Sequence, residues 1–156
     1  MRIHPDIAPL EFLFGTWTGT GKGEYPTISD FSYGEEIRFA PGPGKPFVTY
    51  AQRTWRAGTA DPLHAETGYL RGLGSDRLEL VIAQPTGVVE VHSGVLDGRS
   101  LVFEGLAYTT PSARQVSATR RQIVVDGDRL EYRLAMEAVG QPLLHHLAAV
   151  LTRAAD

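Results

Sequence analysis

The sequence predicts an all-β protein: a ten-stranded antiparallel up-and-down β-barrel with a short N-terminal plug helix. Three observations lead there. Seventeen glycines and ten prolines are spread along the 156 residues as turn signals, among them Pro41-Gly42-Pro43-Gly44, Pro85-Thr86-Gly87, Asp97-Gly98, Asp126-Gly127 and Gly140-Gln141-Pro142. The segments between them are rich in Val, Thr, Tyr, Phe and Leu, which favour a pleated chain. Two segments alternate with period two: Leu78, Leu80 and Ile82 against Glu79, and Leu130, Tyr132, Leu134 and Met136 against Glu131, Arg133 and Glu137. That period belongs to half-buried antiparallel strands.

Taken in order, Pro5 to Phe14 comes first, where Ile7, Leu10, Phe12, Leu13 and Phe14 supply one apolar face for a helix packed on a barrel mouth. Strands follow near 15–25, 33–41, 46–57, 63–72, 76–84, 88–96, 99–109, 115–125, 128–138 and 144–153, and the end of the chain is a second stretch with some helical character. Ten consecutive antiparallel strands expose two edges unless the sheet closes on itself. Closure removes the edges, and at this strand number the lumen exceeds what side chains fill, leaving room for one small ligand. A β-sandwich is the alternative architecture.

Composition narrows the function. The length fits a single domain, 1–156, with no break in composition. A net charge of −3 without any basic run argues against nucleic acid as a partner. No apolar stretch approaches the roughly 20 residues of a membrane span, and no apolar signal core follows the first residues, so a soluble, cytoplasmic protein is expected. Cysteine is absent, which excludes disulfides, thiolate nucleophiles, zinc–thiolate sites and a thiolate haem ligand. Metal chemistry must then rest on His, Met, Tyr or carboxylates.

The segment Gly15-Thr16-Trp17-Thr18-Gly19-Thr20-Gly21 is glycine-rich but is no phosphate loop. Trp and Thr, strand formers, lie between its glycines, and no helix pattern follows. On spacing alone it is a strand bent at glycines to help close the barrel, with Trp17 packed in the base. Near the other end stand two of the five histidines, His145 and His146. Neighbours on a strand face opposite sides, so only one can point into the lumen, and alternation alone leaves open which.

The glycine-rich segment resembles the start of the nitrobindin family, small ten-stranded barrels that bind haem b. The resemblance continues through Gly44 to Trp55, Leu63 to Arg71, Glu79 to Gly87, Met136 to Leu143 and His146 to Arg153, in the family's order and over nearly the whole chain. It implies one haem b per subunit, nitric oxide binding, and isomerisation of peroxynitrite to nitrate at ferric iron. It also implies that His146, in the His-Leu-x-Ala-x-Leu-x-Arg pattern, is the proximal iron ligand and the catalytic metal site. By the same matching, Leu63, His64, Gln84 and Met136 fall at the haem pocket, while Lys22 and Thr27 sit where the glycine-rich strand meets the haem edge or its propionates. Gln84 and Met136 also face inward by alternation with Leu78 to Ile82 and with Leu130 to Leu134. Related barrels pair, so a homodimer is allowed. The chain departs from the family at Pro41-Gly42-Pro43-Gly44, where many relatives carry a histidine; this concerns the shape of one rim.

Other chemistry has little support. Ser29, Ser93 and Ser117 lack a nucleophile-elbow context, and Glu35 and Glu36, as strand neighbours, face apart. His4 and His92 read as structural or solvated, without a carboxylate at metal spacing. A non-enzymatic carrier of a lipid or porphyrin is the competing reading, and it would not depend on His146.

Overall fold

A computed structural model describes residues 2–155 as a closed barrel. A 3₁₀ helix, Pro5–Leu13, precedes ten strands: β1 (Gly15–Tyr25), β2 (Ile28–Pro41), β3 (Phe47–Arg56), β4 (Pro62–Gly72), β5 (Arg77–Ala83), β6 (Val88–Asp97), β7 (Ser100–Thr109), β8 (Val116–Asp126), β9 (Arg129–Ala138) and β10 (Leu144–Arg153). Each strand pairs antiparallel with its sequence neighbours, and β1 closes the ring on β10 with Trp17 opposite Arg153 and Gly23 opposite Leu147. Among the described residues no helix is long and apolar enough to cross a membrane.

Nine strands lie within two residues of their expected bounds; β2 starts five earlier, at Ile28 rather than 33. Its first residues are exposed on both faces, so they carry no alternation, and they are strand only because the tight turn at Pro26-Thr27 pairs Tyr25 with Ile28. Among the described residues the chain end forms no helix. Strand β10 runs to Arg153, whose guanidinium donates to the carbonyls of Phe12 and Phe14, tying the last strand to the plug.

The plug is a helix, but with three residues per turn. Ile7, Leu10 and Leu13, spaced by three, are fully buried, whereas Phe12 and Phe14, expected on the same face, are only partly so. Pro5 suits the first turn, Pro9 lacks an N–H to donate, and His4 caps the start by accepting the Asp6 N–H on Nδ1 at 3.2 Å. Trp17 lies at the barrel base, donating its indole N–H to the Leu13 carbonyl at 2.8 Å beneath the Arg153 guanidinium. The Pro41–Gly44 loop belongs to this plugged rim, where Gly44 N–H reaches the Arg2 carbonyl.

The glycines of β1 serve close approach. Cβ atoms at Gly21 and Gly23 would run into the rings of Tyr33 and Phe31 on β2. Bare backbone there lets two aromatic rings lie inward across β1, which sets the walls of the lumen.

Candidate functional site

Inside the barrel are three layers. The plugged end is apolar, with Leu70, Leu78, Leu101, Leu130 and Leu151 packed on the helix. The middle layer is polar and buried. The third is a cavity of about 650 Å³ at the opposite end, within the roughly 300–1,000 Å³ range of small-molecule sites.

Arg121 on β8 organises the polar layer. Its guanidinium bonds both oxygens of Glu66 at 2.7 and 3.1 Å and Glu90 Oε2 at 2.6 Å. Burial alone would raise the Glu66 carboxyl, but Arg121, with hydrogen bonds from His64 and Tyr50, holds it well below the usual carboxylate range. Glu90 is lowered in the same way, against its own burial, and Arg121 is held well above its ordinary value by the two carboxylates. Beside them Glu35 accepts from Gln52 on Oε1, leaves Oε2 without a partner, and is pushed by burial up to about 7.

Of the polar layer the sequence reading touched Glu35, His92 and, at its edge against Glu66, His64. Glu35 and Glu36 do face apart: Glu35 is fully buried, and Glu36 pairs outside with Arg53 at 3.0 Å. His92, expected to be structural or solvated, is structural: it is 2% exposed and bonds Thr119 at 3.0 Å, and it lies 3.8 Å from the Glu90 carboxylate, a neighbour the sequence reading did not credit. The signal was the alternation in Val88-Val89-Glu90-Val91-His92. It runs opposite to the usual rule, with Glu90 and His92 inside and Val89 and Val91 40% and 49% exposed outside. His4 likewise has a carboxylate, Asp6, at 3.7 Å, and its role is the helix cap.

The cavity brings together most of the expected residues. His146, His64, Leu63, Gln84 and Met136 all line it. Leu63 and His64 are neighbours that both reach it, beside a register shift in the β3–β4 pairing at Thr54 and Trp55. Gln84 continues the inward row of β5 and accepts the Thr86 hydroxyl at 3.2 Å. Lys22 and Thr27 are not brought there. Lys22 points outward, beside Ala148 on β10, into a separate external concavity, because Gly21 and Gly23 take the inward positions; Thr27 is exposed in the β1–β2 turn. The cations that do line the cavity are Arg56 and Arg114, exposed and in no ion pair among the described residues.

His146 reaches the cavity through a bulge. Leu147, Ala149 and Leu151 face inward, so plain alternation would turn His145 in and His146 out. The register of β10 on β9 shifts between His145 and Leu147, and the extra residue, His146, joins Leu147 at the cavity wall while His145 is exposed. The ring is held by edge contacts with Tyr25 and Phe31, at centroid distances of 5.4 and 6.4 Å. Its Nδ1 is 3.0 Å from the Glu24 carbonyl, which only accepts, so Nδ1 carries the proton and Nε2 keeps a lone pair. Burial pushes the imidazole below its ordinary value and favours the neutral form a metal requires.

Among the described residues no three His, Asp or Glu side chains converge to hold a bare metal ion. A single fixed imidazole on the wall of a roomy cavity instead suits an iron whose other ligands come from a macrocycle. Fold and site thus define a closed-barrel protein with a roomy cavity at one end and one oriented imidazole on its wall. The chain belongs to the THAP4-like, haem-binding β-barrel domain family, whose model matches residues 6–153. It is 51% identical to peroxynitrite isomerase 1 of Mycolicibacterium paratuberculosis, over 97% of this chain and 96% of that one. It is 50% identical to the peroxynitrite isomerase of Nocardia farcinica, over 98% and 94%. The crystal structure of Rv2717c from M. tuberculosis superposes with a TM-score of 0.92 at 44% identity, covering 99% of this chain and 100% of that one.

Proposed function

We propose that this protein binds one haem b in the cavity through His146 Nε2, and that the loaded protein binds nitric oxide and isomerises peroxynitrite to nitrate. The observation that carries the reading is the His146 Nδ1–H bond to the Glu24 carbonyl. It fixes tautomer and ring orientation, as is usual for a metal-bound imidazole whose other nitrogen donates to a carbonyl. The family and its peroxynitrite isomerase relatives support the choice of ligand and reaction.

Bound there, ferric haem supplies a Lewis-acidic iron for the isomerisation. The chain supplies the rest. Leu63, Met136 and Leu147 give apolar stretches of the cavity wall for the flat faces of the macrocycle. Arg56 and Arg114, at the cavity lining, are the cations available to the haem carboxylates, the role expected of Lys22 and Thr27. His64 leans on Glu66 at 3.4 Å and places a second imidazole on the wall, while Gln84 offers an amide held by Thr86.

The test is a ferric haem titration of the wild type beside His146→Ala and His145→Ala, followed by peroxynitrite decay. His146→Ala should lose at least about 100-fold in affinity, more than loss of an outer partner costs, and lose the histidine-ligated spectrum, with His145→Ala close to wild type. Equal binding by all three would overturn the assignment and favour a carrier.

A further inference from the structure

Two phenols meet at the floor of the cavity. Tyr33 on β2 and Tyr132 on β9 approach hydroxyl to hydroxyl at 2.7 Å, and both line the cavity while being 1% and 8% exposed. Burial pushes both hydroxyls up, so neither loses a proton unaided. Glu35, two residues along β2 from Tyr33, shares its face; its Oε2 has no partner, and Tyr132 stands close enough to favour its ionised form. The other buried carboxylates near the pair, Glu66 and Glu90, are committed to Arg121. Glu35 is therefore the base with capacity to accept a proton. A hydrogen-bonded phenol beside such a base is the arrangement in which electron and proton leave together.

We propose that Tyr33, Tyr132 and Glu35 form a radical trap that reduces nitrogen dioxide escaping in the cavity to nitrite. One electron passes from the Tyr132 phenol to nitrogen dioxide, giving nitrite. The Tyr132 O–H bond breaks and its proton goes to the Glu35 carboxylate. A neutral tyrosyl radical is left, accepting a hydrogen bond from the Tyr33 hydroxyl. Each chain turns over once without an external reductant. The source of the nitrogen dioxide rests on the peroxynitrite reading above; the trap itself does not.

The full chain, loaded with haem, is mixed with peroxynitrite and freeze-quenched for electron paramagnetic resonance. In parallel it is exposed to nitrogen dioxide made by pulse radiolysis. A tyrosyl radical is expected in both arms, with oxidation mapping to Tyr33 and Tyr132 rather than to the exposed Tyr69 and Tyr108. Tyr132→Phe should cut the radical yield at least roughly tenfold, and Tyr33→Phe should form the radical but shorten its life. The wild-type rate should rise roughly tenfold between about pH 6 and pH 8 as Glu35 ionises, and Glu35→Gln should be slow and flat with pH. The other titratable groups facing Glu35 are Tyr33, Tyr50, Tyr132, Glu66 and Arg121, of which the last two stay charged across that range. A radical with nitrogen dioxide but not with peroxynitrite keeps the trap; peroxynitrite decay measured in the same samples then separates the readings, since fast decay means that no nitrogen dioxide escapes and unchanged decay overturns the peroxynitrite reading. No radical in either arm, or a yield unchanged in Tyr132→Phe, overturns the trap.

Discussion

The plugged end of the barrel and its polar middle layer lie one above the other in the same lumen and are stabilised by opposite means. At the plug, Ile7, Leu10 and Leu13 are fully buried on other apolar side chains, and the polar atoms there bond to backbone, as Trp17 does to Leu13. One layer up, Arg121, Glu66 and Glu90 are nearly as buried, yet they are charged and depend on each other. An apolar layer loses stability in proportion to the volume removed, whereas an ion cluster fails when one member leaves its partners charged and dry. The contrast shows why the open space lies where it does. The apolar layer closes the base, and the polar layer forms the floor of the cavity.

Substitutions in the two layers should separate these roles. The largest effect is expected from Arg121→Met, which strands two buried carboxylates and should cost about 3–5 kcal/mol in denaturant unfolding. A much smaller loss would mean that Glu66 and Glu90 take up protons, so the loss should shrink in acid. Leu10→Ala at the plug should cost about 3 kcal/mol, with haem affinity unchanged because the cavity is at the other end. A fall in haem titration by that variant would break the separation of the layers.

Glu35 tests the polar layer through pH. Its carboxyl is raised from an ordinary 4.5 to about 7 in the fold, so its stabilising contribution is complete below 4.5 and is lost as pH rises through 7. That loss is on the order of 3 kcal/mol, and melting curves of Glu35→Gln should lack it. Glu66 and Glu90 have the opposite sign: their contribution is present above their ordinary 4.5 and is lost as pH falls below it. Wild-type stability should therefore peak on the weakly acidic side of neutral. The smallest effect belongs to Arg114→Ala at the exposed mouth, a few-fold loss of haem affinity, under about 1 kcal/mol, that fades in high salt.

Much of this architecture was legible along the chain because strands declare themselves locally. Turn residues at regular intervals and period-two segments marked all ten strands, and the inward rows of β5 and β9 lead to Gln84 and Met136 on the cavity wall. Two stretches misled for physical reasons. Strand β6 turns Val89, Val91 and Val95 to solvent and Glu90 and His92 inward, so a residue-type rule reads it inside out. Lys22 has the right charge for a haem carboxylate, but alternation with inward glycines sends it outside, and Arg56 and Arg114, thirty or more residues away in sequence, line the cavity instead.

The sequence by itself determined the strand count and the closed-barrel class, which follow from short-range periodicity and turn residues, and, through its motifs, the family. Only the tertiary structure decided which of two adjacent histidines lines the cavity. Alternation from Leu147 to Leu151 favours His145, and a one-residue register shift against β9 reverses it, a property of strand pairing rather than of either strand alone. The buried cluster around Arg121 was settled in the same way. Its members come from β4, β6 and β8, and no local pattern records that a cation on one strand will meet carboxylates on two others once the sheet closes.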